Sequence, residues 1–177
     1  MSRYVAFLRA INLGAKRRVA MADLREVFES LGYDEVSTYI ASGNVLFAAT
    51  GKAADLERAI EPALAERFGF EIPTIVRTPA QIRKAVELEP FTDLADGDTW
   101  SITFLRTAPT PAARKAVAAL SNDTDLLEVH GAELHWAVRK GGRANVSVTD
   151  KALDRALGGI PGTNRSTTML RKLLERA

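Results

Sequence analysis

The spacing of apolar positions changes several times along the chain, and each change marks an element. Residues 4–8 alternate as a strand whose apolar character implies burial on at least one face. Met21, Leu24, Val27, Phe28 and Leu31 then recur at helical spacing, with Gly32 as a C-terminal stop. Val36 to Ile40 and Val45 to Phe47 form the strands of a hairpin that turns at Ala41-Ser42-Gly43-Asn44. Leu56, Ile60, Leu64 and Phe68 place a second helix that ends at Gly69. Pro62 removes a backbone donor inside it, which predicts a kink or an irregular first half. Ile72 to Val76 closes the unit, and the order β-α-β-β-α-β is the ferredoxin-like arrangement.

Much of this pattern returns. Thr78-Pro79-Ala80-Gln81 is a capping box with proline at the first helical position, and it opens a short linking helix. Trp100 to Arg106 is a strand, and its Ile102-Thr103-Phe104-Leu105-Arg106-Thr107 echoes Val5-Ala6-Phe7-Leu8-Arg9-Ala10. Thr110-Pro111 starts another helix. Leu126 to Val129 and Leu134 to Val138 make a second hairpin turning at Gly131, and helices follow near 149–157 and 166–176. No closing strand is evident between those two helices. The expected fold is therefore α+β, with two related ferredoxin-like subdomains, 1–77 and 78–177. The second is expected to carry an extra C-terminal helix and no clear closing strand.

Composition narrows the function classes. Hydrophobic residues at 46% and charged residues at 26% of 177 positions are ordinary for a globular chain. No apolar run approaches the roughly 20 residues of a membrane-spanning helix. Arg9 and Asn12 interrupt the N-terminal apolar stretch, so no signal peptide is read, a cytoplasmic location is expected and no membrane partner is expected. Zero cysteines exclude disulfides and thiolate chemistry. The net charge of +2 is small, but it is unevenly spread. Residues 8–18 and 134–149 hold bases and no acid, whereas 87–98 holds five acids and no base.

Two stretches concentrate polar residues beyond what packing demands. In the loop after the first strand, Arg9, Asn12, Gly14 and Lys16-Arg17-Arg18 combine backbone freedom with cations suited to a phosphate or carboxylate. The spacing is not that of a nucleotide P-loop. Ser42, Gly43 and Asn44 are first of all turn residues, and no base stands beside the Ser42 hydroxyl in sequence. Near the C-terminus, hydroxyls before the last helix cap its amides, and Arg165 beside them adds an anion contact. Val138-Arg139-Lys140-Gly141-Gly142-Arg143 is a further basic segment. His130 and His135 lack a clustered carboxylate pattern, so a surface or edge role is expected for them and no metal site is read.

The blocks Leu8-Arg9-Ala10-Ile11-Asn12-Leu13-Gly14-Ala15 and Thr38 to Phe47 resemble the bacterial family called domain of unknown function 1697. Its members pair Leu-Arg-Gly-Ile-Asn-Val-Gly-Gly with Thr-Tyr-x-x-Ser-Gly-Asn-Val-x-Phe. Met21, Leu24 and Phe68-Gly69-Phe70 also fit the family pattern. The resemblance implies a duplicated ferredoxin-like fold and supplies no activity, cofactor or substrate. The family's C-terminal Thr-x-Arg-Asn-Trp is kept only at Thr163 and Arg165, with Ser166 and Thr167 in the last two places.

These features favour a binding module for an anionic ligand: a nucleotide, a sugar phosphate or, less well, nucleic acid. The alternatives are an enzyme of unknown reaction at the 9–18 and 42–44 loops, and a non-catalytic interaction or scaffold protein.

Overall fold

The computed structural model describes residues 1–14, 17–41, 43–140 and 146–177. Lys16, Ser42 and Gly141-Gly142-Arg143 lie outside the described residues. The chain divides into two compact units, Met1–Arg83 with Leu173–Ala177, and Lys84–Lys172.

The first unit runs β1 (Ser2–Leu8), α1 (Met21–Ser30), β2 (Asp34–Tyr39), β3 (Asn44–Ala49), α2 (Ala53–Phe68) and β4 (Thr74–Arg77), then enters α3 (Pro79–Glu87). Its antiparallel sheet has the order β2-β3-β1-β4. Alternation decides the core: Tyr4, Ala6 and Leu8 of β1 and Val45, Phe47 and Ala49 of β3 share one face. Leu24 and Phe28 of α1 and Leu56, Ile60 and Leu64 of α2 pack against that face. The opposite face of β1 is buried as well, with Val5 and Phe7 fully covered.

Helix α2 passes through Pro62 without interruption. The missing donor falls ten residues into the helix, where the surrounding turns and the packed Ile60 and Leu64 hold the backbone. Gly69 ends α2 in the left-handed conformation, its N–H on the Ala65 carbonyl at 2.9 Å. The capping box at α3 forms as expected. Gln81 N–H donates to Thr78 Oγ1 at 3.2 Å and Thr78 N–H donates to Gln81 Oε1 at 2.9 Å.

The second unit contains β5 (Thr99–Leu105), α4 (Pro111–Ala118), β6 (Asp125–His130), β7 (Glu133–Val138), α5 (Asp150–Leu157), β8 (Gly162–Ser166) and most of α6 (Thr167–Leu174). Its sheet order, β6-β7-β5-β8, repeats that of the first unit. A closing strand therefore exists where none was legible. Gly-Thr-Asn-Arg-Ser shows no apolar alternation, but β8 pairs antiparallel with β5 from Leu105↔Gly162 to Ser101↔Ser166. The Asn164 amide reinforces that pairing by donating to Ser101 Oγ and Thr103 Oγ1, both at 3.0 Å.

The two units are similar down to single backbone bonds. In the first, Leu8 N–H reaches the Gly43 carbonyl at 2.8 Å and Arg9 N–H the Pro73 carbonyl at 2.9 Å. In the second, Leu105 N–H reaches Ala132 and Arg106 N–H reaches Pro161, both at 2.8 Å. The six-residue echo in sequence thus occupies equivalent places at the end of each first strand.

Candidate functional site

Both polar blocks flank the same end of the first sheet, one following β1 and the other joining β2 to β3. A single side chain braces them. Asn12 Nδ2 donates to the Ala41 carbonyl at 2.9 Å and to the Val19 carbonyl at 3.1 Å, and Asn12 Oδ1 accepts the Val19 N–H at 2.8 Å. Asn12 N–H closes the loop on the Arg17 carbonyl at 2.8 Å. The amide that sequence offered to a ligand is thus engaged in holding two loops together.

Gly43 has a steric role. A Cβ there would stand 2.7 Å from Ile11 Cδ1 and 2.9 Å from Leu8 Cβ, at φ +79°. The loop after β1 packs directly on the turn. Asn44 opens β3 fully buried, opposite Phe7 and Tyr39, and its Nδ2 donates to the Tyr39 carbonyl at 2.9 Å. It too serves the frame.

What the loops expose is charge. Arg9 and Arg18 are exposed, with no side-chain partner among the described residues. Gly14 is exposed at φ +70°, with open space around its Cα. Arg17 is half-buried and anchored: its Nη2 donates to the Glu71 carbonyl at 2.5 Å, and the guanidinium lies 4.8 Å from the Phe70 ring centre. The backbone around these residues is strained. Ala10, Asn12 and Ile40 all hold positive φ, between 51° and 54°.

Arg165 belongs to the second unit and sits within β8. Its Nη1 donates to Thr163 Oγ1 and to the Asn164 carbonyl, both at 2.8 Å, and burial pushes its pKa down to about 10. Ser166 Oγ, not Arg165, meets the start of α6, accepting the Met169 N–H at 3.2 Å. The acidic stretch of the second unit is largely spoken for. Asp93 pairs with Arg139, Glu89 with Arg171 at 3.0 Å, and Asp98 accepts the Lys140 and Ala95 N–H groups at 2.8 Å. Those two backbone bonds hold the Asp98 carboxyl below its usual range.

Two buried polar centres of the second unit were not visible in sequence. Asp125 is fully buried, and its Oδ1 accepts the Trp136 Nε1–H at 2.8 Å. Its Oδ2 accepts the Ser147 N–H at 2.8 Å, the Ser147 hydroxyl at 2.6 Å and the Val148 N–H at 3.2 Å. Burial pushes this carboxyl up, but the four donors outweigh it and leave the pKa lowered. No apolar pattern or motif marked this aspartate.

The expectation of a surface or edge role fails for His135, which is fully buried. Its side chain does face away from Leu134 and Trp136, but that second face of the sheet is covered too. Trp100 stacks on it at 5.8 Å, and His130 meets it edge-on at 5.5 Å. Burial first, and then the nearby His130, push its pKa down to about 4. Among the described residues no three His, Asp or Glu side chains gather to hold a metal.

A cavity of about 320 Å³ opens elsewhere in the first unit, lined by Arg3, Glu35, Leu46 and Arg176 among others. None of its lining residues comes from either polar loop.

The model of the family described as "Protein of unknown function (DUF1697)" matches residues 1–135. Among solved structures, a conserved bacterial protein from Streptococcus pneumoniae is similar over 98% of this chain and 97% of its own. The TM-score is 0.70 at 22% identity, a likeness of fold. No curated protein matches.

Proposed function

Because the chain belongs to the DUF1697 family of proteins of unknown function, we propose its function from the loops themselves: a binding module for an anionic ligand at the 9–18 loop. Arg9 and Arg18 supply the charge, the Gly14 region gives backbone access, and Asn12, Gly43 and Asn44 form the frame.

One comparison within the molecule carries this reading. The second unit joins its first strand to its first helix with residues 106–110 and its hairpin strands with 131–132. The first unit, with the same sheet order, spends 9–20 and 40–43 on those connections. The second unit closes the same sheet order with shorter connections, and long connections commonly carry binding. They also hold the uncompensated arginines. Within the class of anionic ligands, nucleic acid laid on the sheet fits poorly. Tyr4, Phe7 and Phe47 of the central strands are buried, which leaves no aromatic platform there for bases.

A thermal-shift screen of nucleotides, sugar phosphates and inorganic phosphate tests this reading. A ligand at about 100 times its dissociation constant adds roughly 2.7 kcal/mol to the folded state. The expected result is a shift that weakens with salt and disappears in Arg9→Ala/Arg18→Ala, a variant that melts like the parent without ligand. A shift untouched by that variant, or none with any anion, overturns the proposal. A second reading, a non-catalytic scaffold, is favoured by one observation: both side-chain polar atoms of Asn12, and the Nδ2 of Asn44, already have internal partners.

A further inference from the structure

The longer loops of the first unit expose more than charge. Leu13 and Ile40, one on each loop, are 70% and 51% exposed. The bond from Asn12 Nδ2 to the Ala41 carbonyl, 2.9 Å, joins the residues next to them, so both side chains belong to one rim. Ile40 is β-branched and holds φ +51°, a conformation that costs such a residue and that its scant burial does not recover within this chain. Neither block contains an acid, from residue 8 to 18 or from 38 to 47. Arg9 and Arg18, in the same loop as Leu13, are exposed as well.

A rim whose two blocks expose apolar side chains and bases but hold no acid complements a surface that is anionic outside and apolar beneath. Resting on the anion-binding reading, and departing from the expectation of no membrane partner, we propose that the anions are lipid headgroups. The two loops dock peripherally on an anionic bilayer, with Leu13 and Ile40 entering the headgroup–acyl boundary and Arg9 and Arg18 meeting the phosphates.

Three competing occupants fit the rim less well. A specific protein partner needs about 1,200–2,000 Å² of buried surface, far more than two side chains present. A second copy joined through this rim would set arginine against arginine. A free phosphate ester would use the arginines and leave Leu13 and Ile40 in water. No described helix is long and apolar enough to cross a membrane, so the proposed contact is a peripheral one.

Co-sedimentation of the full chain with vesicles tests the proposal. Vesicles of phosphatidylglycerol with phosphatidylcholine should retain the protein at low salt and release it at high salt, and pure phosphatidylcholine should not retain it. Leu13→Ser/Ile40→Asn should lower partitioning about tenfold or more, since two inserted side chains are lost. Asparagine tolerates positive φ, so this variant keeps its fold, which a melting curve verifies. Arg9→Ala/Arg18→Ala should lower partitioning about 25-fold at low salt, at about fivefold per base. In Leu13→Trp, tryptophan emission should shift to the blue when anionic vesicles are added.

Absence of binding to anionic vesicles overturns the proposal, as does partitioning unchanged by the loss of Leu13 and Ile40. If soluble phosphates still shift the melting point through Arg9 and Arg18 while vesicles are ignored, lipid docking falls and anion binding stands. If the arginine variant changes nothing with either probe, both fall.

Discussion

Gly43 sets how closely the two polar loops of the first unit can approach. Its missing Cβ would overlap Ile11 and Leu8, and its φ of +79° disfavours any side chain. Gly43→Ala is expected to destabilise the protein by roughly 1–3 kcal/mol, combining overpacking with backbone strain. Urea unfolding measures this as a lower midpoint with an unchanged slope. A midpoint equal to the parent's would mean that Ile11 yields at no cost. Sequence marked Gly43 as a turn glycine but not as a packing one, because its neighbours Leu8 and Ile11 lie more than thirty positions away. Asn12 shows the same limit. A polar residue in a glycine-bearing loop suits a ligand and a loop brace equally, and only the position of Ala41 decides between them.

At the scale of elements, apolar spacing together with the capping signals at Thr78-Pro79 and Thr110-Pro111 revealed the strands and helices that bury a side-chain stripe. It missed β8, whose Gly-Thr-Asn-Arg-Ser holds its place by main-chain pairing and short polar side chains. The β6–β7 hairpin depends on a centre that sequence also concealed. Asp125 at the start of β6 gathers donors from Trp136 of β7 and from Ser147 and Val148 beyond it. Asp125→Ala strands four donors, and a loss of about 3 kcal/mol is expected. Amide hydrogen exchange should show protection falling first in β6 and β7 and least in the first unit's sheet. A uniform fall would show that Asp125 supports more than its own hairpin.

At the scale of the whole molecule, stability is expected to depend on pH through His135. Its folded-state pKa of about 4 lies below the ordinary 6.5, so the unfolded chain binds the proton first as the solution is acidified. The stabilisation is complete above pH 6.5 and is lost progressively as pH falls toward 4. Its full extent is on the order of 3 kcal/mol. Urea midpoints measured from pH 7 to pH 4 should fall steeply in the parent and much less in His135→Leu. Parallel curves would assign the acid sensitivity elsewhere. Alternation correctly set His135 apart from Leu134 and Trp136. A period of two tells which residues share a face, but it is silent on whether the second face is covered.

The sheet order shared by the two units also fixes which strands lie outermost: β2 and β4 in one, β6 and β8 in the other. An outermost strand is where a foreign chain can add itself, and each of these is poorly suited to that use. The four residues of β4 and five of β8 offer little length, and β2 is thrown out of register between Asp34 and Ser37. On β6, Glu128 and His130 put a hydrogen-bonded polar pair on the rim. The polar strand that sequence could not recognise thus guards its sheet against runaway growth. An apolar segment in its place would have been easier to read and far more prone to stack into fibres.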